Sequence, residues 1–160
     1  MEVRVAAATI GMGLFAARTF AAGETILHVA GRIVRHEVLW RRRGSTFSAN
    51  CIRFGPETYL DPGDGPARYV NHSCAPNAFL RKERNRLYLV AARRIGARAE
   101  LTFDYSTTIG ADDIWTMRCR CGRAACRGTI GHFGSLPDSV KVGYMRRRMV
   151  PGYVLSTLEE

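Results

Sequence analysis

Three cysteines within eight residues are the densest chemical signal in this sequence: Cys119-Arg120-Cys121-Gly122, followed by Cys126-Arg127-Gly128. Thiolates so spaced, with glycines that let the backbone fold tightly around an ion, suit a tetrahedral zinc site. A closed structural site takes about four ligands, so one must come from elsewhere, and Cys74 and Cys51 are the remaining thiols. Cys74 follows Asn71-His72-Ser73 in a polar, turn-like stretch, whereas Cys51 sits inside an apolar strand pattern and reads as a small buried hydrophobe. The expected ligands of one structural zinc ion are therefore Cys74, Cys119, Cys121 and Cys126.

Arg68-Tyr69-Val70-Asn71-His72-Ser73-Cys74 crowds an amide, an imidazole, a hydroxyl and a thiol into consecutive positions. A cysteine nucleophile and its base usually come from distant positions joined by the fold, so adjacency argues against a protease-like pair. In isolation the stretch is a polar loop that hydrogen-bonds to itself through Asn71 and Ser73. Gly11-Met12-Gly13-Leu14-Phe15 places two glycines before a strand, where a ligand could approach the backbone closely. Alone, a bare G-x-G is more often a turn or bulge, and it lacks the third glycine and helix of a dinucleotide fingerprint. Glu100-Leu101-Thr102-Phe103-Asp104-Tyr105 alternates apolar and polar residues as a half-buried strand would.

The elements that must position these residues are mainly β. Strand-like runs start at Val3 (VRVAAAT), Thr25 (TILHVAGRIV), Phe47 (FSANCIRF), Arg86 (RLYLVAA) and Glu100 (ELTF), separated by turn chemistry such as Pro62-Gly63-Asp64-Gly65-Pro66. A short exposed helix is expected from His36 to Arg43, ending near Gly44. A second follows Leu136-Pro137-Asp138, with Val140, Tyr144 and Met145 on its packing side and Pro151 as its stop. The 160 residues, 46% hydrophobic and 24% charged, permit one compact unit with a modest core. The longest uncharged stretch near the start, Val5 to Ala17, is only thirteen residues, so no membrane span is expected. Met1-Glu2-Val3-Arg4 carries an acid and no small-residue cleavage site follows, so no signal peptide is expected either and the chain reads as intracellular.

Taken together and in this order, the four elements resemble the SET-domain protein lysine methyltransferases, in a minimal, bacterial-type form. GMGLF corresponds to the first glycine motif, RYVNHSC and ELTFDY to the paired signature motifs, and CRCGRAACRG to the post-SET zinc motif, over about residues 3–128. The resemblance implies a mainly β SET-domain fold of small curved sheets, with the NHSC segment and the segment ending in Tyr105 threaded past each other like a pseudoknot. It also implies a zinc-bound post-SET loop, a short C-terminal helix, and a division into a SET domain at 1–118, a post-SET motif at 119–128 and a C-terminal helical cap at 129–160. No pre-SET zinc segment or fused module is expected.

The implied activity is methylation of a lysine side chain in a protein substrate, such as a histone, a histone-like protein or a ribosomal protein, from S-adenosylmethionine. The implied cofactor contacts are Met12, Gly13, Leu14, Asn71 and His72, and the implied catalytic residue is Tyr105. Phe103 falls where the family limits room for successive methylations, and its missing hydroxyl points to di- or trimethylation. Trp115 and Phe133 are candidates for contacting the adenine or lining the lysine channel, with core packing as the alternative. Two positions depart from the pattern: Val29 stands where many members carry Tyr, and Arg32 where many carry an acid. These keep open an alternative in which the chain is a catalytically silent module that binds a basic protein or nucleoprotein partner.

Charge bears on the partner. Twenty-four basic residues against fourteen acidic give a net +10, and 22 of the basic residues are Arg, with only Lys82 and Lys141 as Lys. A basic substrate tail would need local acids, for which Asp61, Asp64, Asp104, Asp112 and Asp113 are the candidates. The runs Arg41–Arg43, Arg81–Arg86 and Arg146–Arg148 are a candidate contact for nucleic acid, or simply solvated faces. The expected location is the cytoplasm or nucleoid in a bacterium, and the nucleus or chromatin in a eukaryote.

Overall fold

The structure, a computed structural model, describes residues 2–42, 49–113 and 115–158. Its first hairpin pairs β1 (Val3–Ala7) with β2 (Met12–Ala16), from Val3 opposite Ala16 to Ala7 opposite Met12. The turn needs Gly11, whose φ of +61° is costly for a side-chain-bearing residue. Gly13 answers to packing: a Cβ there would lie 2.6 Å from Glu100 Oε1 and 2.9 Å from the Ala8 Cβ. The two glycines of GMGLF are thus accounted for by the turn and by neighbouring protein atoms.

The run expected as one strand from Thr25 to Val34 divides into β3 (Thr25–His28) and β4 (Arg32–Arg35), which enter different sheets. With β8 (Ala78–Glu83) and β9 (Arg86–Ala91), β3 forms a sheet in the order β3-β9-β8. With β5 (Ile52–Arg53) and β6 (Thr58–Asp61), β4 forms another in the order β4-β6-β5. Gly31 makes the break possible, because the space above its Cα is filled by the Asp61 backbone. Gly31→Ala forces that contact and should cost about 1–3 kcal/mol, as overpacking against fixed atoms does. Thermal unfolding checks this: Tm should fall by roughly 2–4 °C per kcal/mol, whereas Gly96→Ala, which meets no atom within 4 Å, should leave Tm unchanged.

The signature segments meet across the chain. β7 (Asn71–His72) pairs in parallel with β10 (Thr102–Phe103), Asn71 opposite Thr102 and His72 opposite Phe103. Asn77 staples the join, accepting from Thr102 N at 2.9 Å and donating to Glu100 O at 2.7 Å. The expected half-buried alternation of Glu100–Tyr105 is corrected here, since Leu101, Thr102, Phe103 and Asp104 are all at most 5% exposed. β10 is covered on both faces, so its polar residues are buried as well.

A further pair, β11 (Met117–Arg118) with β12 (Thr129–Ile130), closes the ends of the cysteine-rich loop. The main core gathers Leu14, Phe20, Leu87, Leu89, Leu101 and Phe103 among others, and Val29 is part of it. The first helix, α1, runs His36–Arg41; Arg43 and Gly44, expected at its end, lie outside the described residues. Of the expected strand FSANCIRF, Phe47 and Ser48 lie outside them too, Ala49 and Asn50 are helical, and only Ile52–Arg53 is strand. The C-terminal helix α2 (Asp138–Arg146) buries Tyr144 and half-buries Val140, but Met145 is exposed, and a short α3 (Gly152–Leu155) follows Pro151. Phe133, Leu136, Tyr144, Met149 and Val154 form a second cluster beneath these helices. No helix of the described residues is long and apolar enough to cross a membrane.

Candidate active site and metal centre

Two cavities approach each other at one side chain. The larger, about 410 Å³, is walled by α1, by the strand pair β5 and β6, and by Val70, Phe103, Tyr105 and Trp115. The smaller, about 310 Å³, is lined by Ile10, Asn71, His72, Tyr105, Met117, Arg118, Arg120, Cys121 and Ile130. Among the described residues, Tyr105 alone is common to both linings.

Each polar group at this junction is held from a different segment. Asn71 Nδ2 donates to Glu100 Oε1 at 2.8 Å and to the carbonyl of Met12 at 3.1 Å, which fixes the amide against the glycine hairpin. The Tyr105 hydroxyl donates to Val70 O at 2.8 Å, and its ring lies 4.8 Å from that of Phe103. Burial, and after it the Glu100 carboxylate, pushes the Tyr105 pKa upward, so the group is a neutral phenol. The backbone N–H of Tyr105 donates to His72 Nδ1 at 3.2 Å, which leaves the imidazole proton on Nε2, 3.3 Å from Cys74 Sγ. Burial lowers the His72 pKa to about 4, outweighing the opposing pull of Asp104, so the ring is neutral.

Beside this junction the ligand atoms of His72, Cys74, Cys119 and Cys121 all lie within 4.8 Å of one another. Cys126 packs on the same cluster, and its thiol interacts with those of Cys119 and Cys121. The donor set fits zinc, because peptide N–H groups already point at the sulfurs. Arg127 N donates to Cys74 Sγ at 3.4 Å, and backbone N–H groups of Cys74 and Arg123 approach Cys121. Although burial raises the Cys121 thiol, those donors bring its pKa down to about 7, towards the thiolate a metal needs. His72 offers the cluster an Nε2–H, which suits a hydrogen bond to a thiolate and not a metal bond.

Residues 11–106 match the SET domain family. The chain belongs to the SET-domain family. This SET domain is 34% identical over 127 residues to "Histone-lysine N-methyltransferase 2D" of Homo sapiens, an alignment covering 73% of this chain and 2% of that protein. It is 32% identical over 129 residues to "Histone-lysine N-methyltransferase, H3 lysine-4 specific" of Saccharomyces cerevisiae, covering 74% of this chain and 12% of the relative. The SET domain thus spans a small fraction of these relatives. Among solved structures it is similar to KRYPTONITE in complex with mCHH DNA, H3(1-15) peptide and SAH, with a TM-score of 0.61 at 23% identity over 80% of this chain and 29% of that one. That likeness bears out the mainly β architecture of small sheets.

Within the SET domain, Asn71, His72 and Tyr105 converge on the smaller cavity, and Phe103 reaches the larger one beside Tyr105. Of the glycine hairpin, Ile10 faces the smaller cavity; Met12 supports it through its carbonyl, Gly13 packs against Asn71, and Leu14 is fully buried in the core. Trp115 lines the larger cavity, whereas Phe133 is fully buried in the C-terminal cluster and touches neither. Val29 is 1% exposed in the main core and lines neither cavity. Cys51 is half-buried at the larger cavity and not within a strand; burial, and then Asp61, lifts its thiol to about 12.

The candidate acids do not converge on one groove. Asp61 pairs with Arg32 and Asp64 with Arg68, while Asp104 is buried with Arg127. Only Asp112 and Asp113 reach the larger cavity, where Arg53 Nη2 donates to Asp112 at 2.8 Å and Tyr59 donates to Asp113 at 2.6 Å. Arg53, 3% exposed, went unnoticed in the sequence because it sits in an apolar run whose charge partners lie about sixty residues away.

Proposed function

We propose that this chain is an S-adenosylmethionine-dependent protein lysine N-methyltransferase. The observation that carries the reading is the meeting of two separate cavities at Tyr105, an arrangement suited to a donor and an acceptor arriving from different openings. The relatives named histone-lysine N-methyltransferase support it, and so does the neighbour solved with SAH and a histone peptide. In this reading the smaller cavity takes the methyl donor. Its apolar Ile10, Met117 and Ile130 suit the adenosyl group, and Asn71, His72, Arg118 and Arg120 suit the polar end, with the Met12 carbonyl holding the Asn71 amide from behind.

S-adenosylmethionine supplies a methyl on a sulfonium, an electrophile for in-line displacement. What the chain must do is present the lysine amine neutral and aligned, although the reference pKa of that amine is about 10.4. A cavity walled by Phe103, Val70 and Tyr105 removes water from the amine and favours its uncharged form. The phenol oxygen of Tyr105 and the Val70 carbonyl, 2.8 Å apart, are acceptors that can hold the amine protons and so direct the nitrogen lone pair towards the smaller cavity. Because Tyr105 stays protonated, it is a positioning and stabilising group and not the base.

Cys74, Cys119, Cys121 and Cys126 are proposed to hold one zinc ion in the post-SET motif at 119–128, between a SET domain at 1–118 and the helical cap at 129–160, with His72 donating to the Cys74 thiolate. The acceptor is a protein lysine on a histone or histone-like protein, which places the enzyme inside the cell, on chromatin in a eukaryote. The exposed arginines are the proposed contact for accompanying nucleic acid. Labelled methyl transfer into histones, nucleosomes and ribosomal proteins tests the reading: label in lysine is expected, and SAH binding without any label in any acceptor would overturn it.

Product number should be set by Phe103. Phe103→Tyr adds a hydroxyl to the crowded wall beside Tyr105, so mass spectrometry of the acceptor should show the higher methyl states falling in favour of fewer methyls. An unchanged product ratio would remove Phe103 from that role.

A further inference from the structure

One group at this site is not explained by methyl transfer as described. Asp104 lies next to Tyr105, its side chain is fully buried, and three donors from three parts of the chain surround it. Its Oδ1 accepts from Arg127 Nη2 at 2.8 Å and from Ser106 N at 3.1 Å, while its Oδ2 accepts from the Tyr144 hydroxyl at 2.9 Å. His72 Nδ1 is 3.6 Å away. Arg127 belongs to the cysteine-rich loop, where its own backbone N–H is directed at Cys74 Sγ, and Tyr144 belongs to α2. One carboxylate therefore ties the wall of the smaller cavity, the C-terminal helix and the Tyr105 backbone together.

A buried ion pair is an inefficient way to stabilise a fold, because desolvating both charges offsets much of their attraction. This one also leaves Arg127 Nε buried with no partner among the described residues, a cost that stability alone does not justify. The arrangement does fix relative position. Arg127 is held to Asp104 from the loop whose Arg120 and Cys121 line the smaller cavity with Ile10 and Asn71, and Asp104 adjoins Tyr105 in the chain. We infer that Arg127, Asp104 and Tyr144 form a positioning latch that sets the Tyr105 hydroxyl and the outer wall of the smaller cavity in one geometry, so that the cofactor wall and the acceptor-aligning phenol are assembled together. This rests on the methyltransferase reading above.

The test separates stability from position by removing both charges. Arg127→Met alone leaves a buried unpaired carboxylate and is expected to unfold readily. In Asp104→Asn/Arg127→Met that penalty is gone, so Tm should return towards wild type with one zinc per chain retained. If the latch positions the site, kcat of this double variant stays depressed by roughly 10- to 100-fold, the SAH dissociation constant rises by a comparable factor, and KM for the acceptor protein is unchanged. Recovery of wild-type kcat and SAH affinity along with Tm would overturn the inference. Should the double variant fail to fold, Tyr144→Phe decides: loss of one hydrogen bond should lower kcat about fivefold with Tm nearly unchanged, and wild-type kcat would reject the latch. SAH affinity by calorimetry keeps the two claims apart, since it reports on the latch even if wild type transfers no methyl and the functional reading fails.

Discussion

Tyr105→Phe should abolish most methyl transfer, lowering kcat by about 10²- to 10³-fold, the loss typical of removing one preorganised polar group from a transition state. The fold should survive, because the ring keeps its contacts with Phe103 and His72 and, among the described residues, the hydrogen bond lost is the one to the Val70 carbonyl. SAH affinity should change little, since Asn71, His72 and the cysteine loop still form the rest of the smaller cavity. Because Tyr105 is held as a neutral phenol, the residual activity should show the same dependence on pH as wild type. A variant with normal kcat, or one whose loss appears only in cofactor affinity, would remove Tyr105 from the reaction.

Metal removal should have the second large effect. Met117, Arg118, Arg120, Cys121 and Ile130 make up much of the smaller cavity's lining, and all belong to the loop that the cysteines tie down or to the β11–β12 pair that closes it. Chelation releases that loop, so SAH binding and methyl transfer should fall together by roughly 10²-fold and return with added zinc. Elemental analysis should then distinguish ligand from neighbour: Cys126→Ser loses the ion, whereas His72→Ala keeps it. Retention of zinc in Cys126→Ser together with its loss in His72→Ala would exchange their roles. SAH affinity untouched by complete metal loss would contradict the structural role altogether.

The parts of this site that could be read in the sequence are those whose chemistry is local. The C-x-C-x4-C spacing, the density of Arg68–Cys74 and the terminal Tyr105 are each compact in the chain; β7 pairing with β10 brings the last two together, and the thiols of Cys119 and Cys121 lie beside Cys74. For Asp104, a candidate for the acidic groove, burial was hidden by the same local logic. In ELTFDY it takes the place of a solvent-facing residue of an alternating strand, and only the arrival of Arg127 and Tyr144 from 23 and 40 residues away makes a buried carboxylate tolerable there. Arg53, and its pairing with the candidate acids Asp112 and Asp113, was illegible for the same reason.

In the fold, strands with a closing turn, such as Arg86–Ala91, were legible from β-branched and aromatic residues, whereas the break inside Thr25–Val34 was not. A glycine within an apolar run reads locally as a weak spot in one strand. Its actual cause, the Asp61 backbone lying over Gly31, comes from a strand thirty residues further on. Met145 shows the converse, an apolar residue that faces solvent because it follows the buried Tyr144 and successive helical residues point to different sides.

The central claim is that two ligands from separate cavities meet at Tyr105, and a bisubstrate analogue tests it most directly. The compound joins the adenosyl end of the donor through a short alkyl link to the side-chain nitrogen of a lysine in a histone peptide. Steady-state inhibition should be competitive against both S-adenosylmethionine and the acceptor protein, with affinity above that of SAH or the peptide alone, because one molecule then fills both cavities across Tyr105. Inhibition competitive with only one of the two substrates, at an affinity no better than SAH, would contradict the account.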